Sequence, residues 1–147
     1  MKRSKPIAFF ASAAAVDSTP GGSAKGGGGA KTVSEYLAQS PDSLKDLYAE
    51  FETFAEALGD DVTKKTLKLY FAFRRLKNFA CVEIHPTTHT LLVYLKVDPS
   101  TVQMEEGFTR DVRKIGHFGT GDLEVRIRSR ADLEKASPLV QEAYDAS

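Results

Sequence analysis

The chain has 147 residues, 41% hydrophobic and 27% charged, which is the balance of one ordinary globular domain with room for a real core. Lys and Arg number 20, as do Asp and Glu, so the total charge singles out no partner. A lone cysteine, Cys81, excludes an internal disulfide and a cysteine-only zinc site and fits a reducing, cytoplasmic compartment. No apolar run reaches the roughly 18–20 residues of a membrane span, so no membrane partner is expected.

Charge is unevenly placed along the chain. Residues 41–61 carry one Lys against seven acids, whereas residues 62–130 carry thirteen Lys and Arg against seven acids. An acidic segment followed by a basic one is an asymmetry that the fold must place somewhere.

The chain opens with a basic Met1–Lys5 and an apolar Ile7–Val16, a weak match to a signal peptide. The continuation GGSAKGGGG, residues 21–29, holds six of the eleven glycines and has the composition of a flexible coil. It lacks the Gly-Lys-Ser/Thr ending of a phosphate loop. Residues 1–31 are therefore expected to be a disordered tail or linker, and residues 32–147 a single domain.

Thr32 and Glu35 have capping-box spacing for a short helix over residues 32–39. Ser40-Pro41 restarts the chain with a cap and a first-turn proline. The main helix is predicted over residues 41–58, because Leu44, Leu47, Tyr48, Phe51, Phe54 and Leu58 form one apolar stripe, and Gly59 stops it. From Lys64 to Arg74 the residues alternate, with Leu67, Leu69, Phe71 and Phe73 on one side, which predicts one half-buried strand. Arg75–Asn78 reads as a turn, Phe79–His85 as a second strand, Pro86–His89 as a turn and Thr90–Val97 as a third strand with Leu91, Val93, Leu95 and Val97 inward. Three strands joined by short turns make an antiparallel meander.

Thr101–Phe108 reads as loop or a helical turn. The stretch DVRKIGHFGTGDLEVRIR, residues 111–128, follows. Gly116, Gly119 and Gly121 bracket His117 and Phe118, and clustered glycines indicate a backbone path at positive φ or a close approach to other backbone. Leu123, Val125 and Ile127 then alternate with Glu124, Arg126 and Arg128, a fourth strand. Ser129 and Asp132 cap a short turn, and Ser137-Pro138 begins a closing helix. The fold class expected is α+β: a mainly antiparallel sheet of about four strands between an N-terminal amphipathic helix and a C-terminal helix, behind a Gly-rich tail.

Two constellations point to chemistry. Lys68, Tyr70, Arg74, Tyr94, Lys96, Arg126 and Arg128 share the non-core parity of the strands. Basic side chains neutralise phosphates and tyrosines stack on unpaired bases, so this is a candidate nucleic-acid face. The plainer reading of the same alternation is a solvated outer face, or one covered by helices. The second is the loop of Gly116, His117, Phe118, Gly119, Gly121 and Asp122, in which His117 beside Asp122 suits a general base or an anion cradle. The loop precedes a strand, so no helix dipole assists it. Here the plainer reading is a histidine that ties the loop to itself. A magnesium-nuclease arrangement from Glu83, Lys96, Asp98, Asp122 and Glu124 lacks a Glu-x-Lys, and Arg126 in its place is a poor base. His85 and His89 lack further zinc ligands. No metal or cofactor is expected.

Gly59–Val62, Tyr70–Arg74, Lys77–Phe79, Leu91–Leu95, the Gly116–Asp122 signature and Pro138–Tyr144 together resemble an uncharacterised bacterial and archaeal family, domain of unknown function 5655. Many of its members carry the label "predicted transport protein", which no residue here supports. Thr32–Pro41 also resembles the opening of another small uncharacterised bacterial domain. The resemblance implies an accessory role near nucleic acid, because such domains accompany nuclease-type modules. Three functions follow as expectations: a non-catalytic binding module for nucleic acid, an enzyme of hydrolase type using His117 and Asp122, or a protein-interaction domain with an apolar patch at Phe108 and Phe118.

Overall fold

The computed structural model describes residues 31–115 and 121–147. The expected tail and most of the glycine loop lie outside them. The elements are α1 (Val33–Ala38), α2 (Asp42–Glu56), β1 (Thr63–Thr66), β2 (Phe71–Arg74), β3 (Asn78–His85), β4 (Thr90–Leu95), a 3-10 turn at Pro99–Thr101, β5 (Thr109–Asp111), β6 (Leu123–Ile127) and α3 (Arg130–Asp145). The α+β class holds, with helices at both ends of a fully antiparallel sheet, but the expected four strands are six, in the order β1-β2-β3-β4-β6-β5.

Two signals misled the count. The single strand expected from Lys64 to Arg74 is a hairpin. Leu67 donates its N–H to the Tyr70 carbonyl at 2.9 Å, and Thr66 pairs with Phe71. Alternation continues through the reversal, so a period-two pattern cannot reveal it. The reversal also changes faces: Lys64 pairs with Phe73 and so lies on the helix side. There its Nζ sits 2.8 Å from Glu52 and 4.5 Å from the Phe71 ring centroid. The other missed strand, β5, has three residues, too few to show a period.

Each helix starts and ends for a local reason. Thr32 and Glu35 form the reciprocal capping box at α1. Ser40 was expected to cap α2 but donates its hydroxyl back to Tyr36, and Pro41 occupies the cap position without a side-chain bond. Leu44, Leu47, Tyr48, Phe51 and Ala55 are the buried stripe of α2. Gly59 follows its end, and a Cβ there would overlap the Tyr144 hydroxyl, so the site requires a missing side chain rather than an unusual φ. The closing helix begins earlier than expected. Ser129 accepts from the Asp132 N–H and starts α3, which runs on through Pro138. Proline removes one N–H from the interior of that helix, and Ser137 donates its hydroxyl to the Leu133 carbonyl one turn back.

The three helices of the described residues pack on one face of the sheet. Phe51, Phe73 and Phe79 are fully buried there. Phe51 meets Phe73 edge-on at 5.6 Å, and Phe79 meets Tyr144 at 5.5 Å. The opposite face carries only a small cluster, Ala72, Cys81, Tyr94 and Val112, flanked by Leu67, Tyr70 and Leu92. Among the described residues no helix covers it.

Candidate functional site

The register of the strands lays out this uncovered face in rows. The central row crosses all six strands as Lys65, Ala72, Cys81, Tyr94, Glu124 and Arg110. Beside it Glu83 pairs with Leu92 and Leu92 with Arg126. His85 pairs with Thr90 beyond that, and Arg128 follows Ile127 at the same end. Lys96 and Arg74 lie toward the other end, and Lys68 sits in the β1–β2 turn, exposed. The seven residues expected to form the binding face are thus spread over its length, with Tyr94 and Arg126 on the adjacent strands β4 and β6 and Arg128 just past the end of β6.

The centre of the face is not purely basic. Glu124 is 1% exposed. A buried carboxylate needs donors, and it has three residues supplying them. Arg110 reaches it through Nε at 3.2 Å and Nη2 at 3.1 Å, Tyr94 donates its hydroxyl at 3.3 Å, and the Arg126 Nε lies at 3.4 Å. Burial, then the charges of Glu83 and Glu124, raise the Tyr94 hydroxyl above its usual range, so it stays protonated and able to donate. Tyr94 itself is buried, leaving Tyr70, half-buried at the edge of the cluster, as the tyrosine ring within reach of a ligand. Sequence alternation did place Glu124 on this face. Its pairing with Arg110 was invisible, because β5 was invisible.

At the end of the face formed by the β3–β4 hairpin lies a groove of about 220 Å³ lined by His85, Thr88, Thr90, Leu92, Arg126 and Arg128. His85 Nε2 is 2.9 Å from Glu83. Thr90 donates its hydroxyl to the Thr88 carbonyl at 2.9 Å. The hairpin is fixed by His89, which takes a positive φ of 55° and meets the Ser43 hydroxyl at 2.8 Å. His85 and His89 therefore serve different contacts and do not form a ligand pair.

Of the glycine-loop candidates, Gly116, His117, Phe118 and Gly119 lie outside the described residues, and only Gly121 and Asp122 can be placed. Gly121 has φ 143°, and a Cβ there would come 2.8 Å from the Tyr94 carbonyl carbon and 2.9 Å from the Leu95 nitrogen. The close backbone approach expected of the glycines is realised at this position. Asp122 donates its N–H to Leu95 at 3.1 Å and leaves its carboxylate exposed. Six residues of extended chain separate it from Arg128, roughly 20 Å, so Gly121 and Asp122 stand at the opposite end of β6 from the groove. Near the loop, Arg113 grips Asp111 at 2.7 Å and holds its carboxyl down at about 2. Phe108, expected in an exposed patch, is buried with Lys135 4.3 Å from its ring centroid. No group of three His, Cys, Asp or Glu residues gathers at one point among the described residues. None of their helices is long and apolar enough to cross a membrane.

The sequence profile of the family described as "Domain of unknown function (DUF5655)" matches residues 33–147. The chain belongs to this family. It is also 29% identical over 110 residues to a protein of Haemophilus influenzae named "Uncharacterized protein", a match that covers 75% of this chain and 36% of that relative. The chain thus spans about a third of the relative's length. No solved structure matches it.

Proposed function

We propose that the chain is a non-catalytic binding module whose uncovered sheet face takes the phosphate backbone of a single-stranded nucleic acid. The observation that carries this reading is the one-sided packing of the fold. Among the described residues three helices sit on one face of the sheet, and the other face presents Lys65, Arg74, Lys96, Arg126 and Arg128 alongside Glu83 and Glu124. Glu83 is bonded to the His85 imidazole, and Glu124 to Arg110 and Tyr94. Tyr70 offers a ring on the same face for stacking on an unpaired base. An accessory role is supported by the relative, in which the matched region is a minor part of a longer chain.

Such binding releases counterions. Four neutralised phosphates on a single strand give a slope of log affinity against log salt of roughly −3. Anisotropy of a labelled oligonucleotide, titrated between low and physiological salt, measures it directly. Lys68→Glu with Arg126→Glu is expected to weaken binding further. Binding that is absent, or indifferent to salt, overturns the reading.

A further inference from the structure

We propose that the groove at the β3–β4 hairpin end of the face is a site for a phosphate monoester. If the nucleic-acid reading above holds, on which only the identity of the ligand rests, it seats the phosphorylated end of a strand. No acid lines the groove. Arg126 on β6 and Arg128 just past its end both line the groove, and two residues of extended chain set them roughly 7 Å apart. Arg126 leans on Glu124 through Nε alone, and its two Nη groups bond to nothing among the described residues. The Arg128 guanidinium likewise has no partner among them, although its backbone N–H is taken by Asp132 at 3.0 Å. Thr88 is exposed at the groove wall.

The remaining lining residues sharpen the choice of ligand. Glu83 stands behind His85 and accepts from its Nε2–H, so the imidazole is steered and the carboxylate does not line the groove. Thr90 spends its proton on Thr88. Leu92 is the one apolar lining residue, which leaves no bed for a large apolar ligand. The Arg128 guanidinium and the two Nη groups of Arg126 suit a group carrying about −1.5 to −2 charges near neutral pH, as a monoester does. An internal phosphodiester carries a single charge and leaves half of that pair unmatched. The hairpin supplies Thr88 to the groove, and its conformation is fixed by the Pro86 carbonyl, which accepts from the His89 N–H at 3.1 Å, and by Ser43.

The test compares one short oligothymidylate carrying a 5′-phosphate, a 3′-phosphate or hydroxyls at both ends, with phenyl phosphate as a base-free probe. One phosphorylated form is expected to bind about tenfold tighter than the hydroxyl form, the worth of one charge-assisted contact. Arg128→Gln should bring that ratio to about one, whereas Lys96→Gln should weaken all forms alike and preserve it. Phenyl phosphate should shift the amide resonances of His85, Thr88 and Arg128. If all three oligonucleotides bind equally, the terminal-phosphate site is overturned while the face reading stands. If phenyl phosphate shifts those resonances and no oligonucleotide binds, the site stands and the nucleic-acid reading falls. If neither probe binds, both fall.

Discussion

The two faces of one sheet have opposite constructions. The helix face is filled by phenylalanines, tyrosines and aliphatic side chains, and its Lys64 is drawn into the packing by Glu52 and two aromatic rings. The uncovered face carries a narrow apolar strip and a buried carboxylate clamped by Arg110 and Tyr94, with basic groups toward both ends. The unevenness of charge along the chain is thereby placed in space: most of the acids of residues 41–61 sit on the helix layer, and many of the cations of residues 62–130 on the sheet. The difference teaches that one face is specified by volume and the other by pairing, so they should fail differently when altered.

The largest effect is expected from the helix face. Phe73→Ala removes a fully buried ring and should cost about 3–5 kcal/mol in urea denaturation, a large part of what a domain this size has. Next comes the backbone seam beneath the uncovered face. Gly121→Ala forces a side chain onto positive φ and against the Tyr94–Leu95 peptide, and should cost about 1–3 kcal/mol. Glu124→Gln weakens a carboxylate's bonds to Arg110 and Tyr94 and should cost about 1–3 kcal/mol, because Arg110 is half-exposed and recovers part of its hydration. A loss as small as that of a surface substitution would show that the clamp contributes nothing.

The same cluster sets an alkaline limit. Burial raises the Tyr94 hydroxyl above the ordinary 10.0, so the folded state keeps a proton that the unfolded state releases. The stability it contributes is intact below pH 10 and is lost progressively above it. Tyr48, raised first by burial and then by Glu52 and Glu56, adds to the same trend. Tyr94→Phe should flatten the decline of melting temperature between pH 9.5 and 11, and an unchanged slope would remove Tyr94 from the account. The smallest effect is at the edge of the uncovered face. Arg128→Gln should stay within about 0.5 kcal/mol of the parent while abolishing the preference for a phosphorylated end.

What the sequence made legible follows the same division. The apolar stripe from Leu44 to Phe51, and the alternations Leu91–Leu95 and Leu123–Ile127, named the helix face correctly, because burial leaves a period in the chain. The outward parity of Arg126 and Arg128 came from the same alternation. What stayed hidden depends on partners distant in sequence. The hairpin at Leu67–Tyr70 preserves alternation through a reversal. The strand at Thr109–Asp111, three residues long, is too short to show an alternation. The Glu124–Arg110 clamp exists only once that strand is paired, and the groove draws on three strands and a turn. Gly121 lies between these cases: a glycine was readable as a close approach, but the peptide it approaches was not.

The central claim is that the uncovered face, and not the helix layer, meets the ligand. An amide chemical-shift titration with a short 5′-phosphorylated single strand tests it in one measurement. Shifts on Leu92, Lys96, Arg126 and Arg128, with α2 and α3 unmoved, are the predicted result. Shifts confined to the outward surfaces of α2 and α3, or none at saturating strand and low salt, would contradict it.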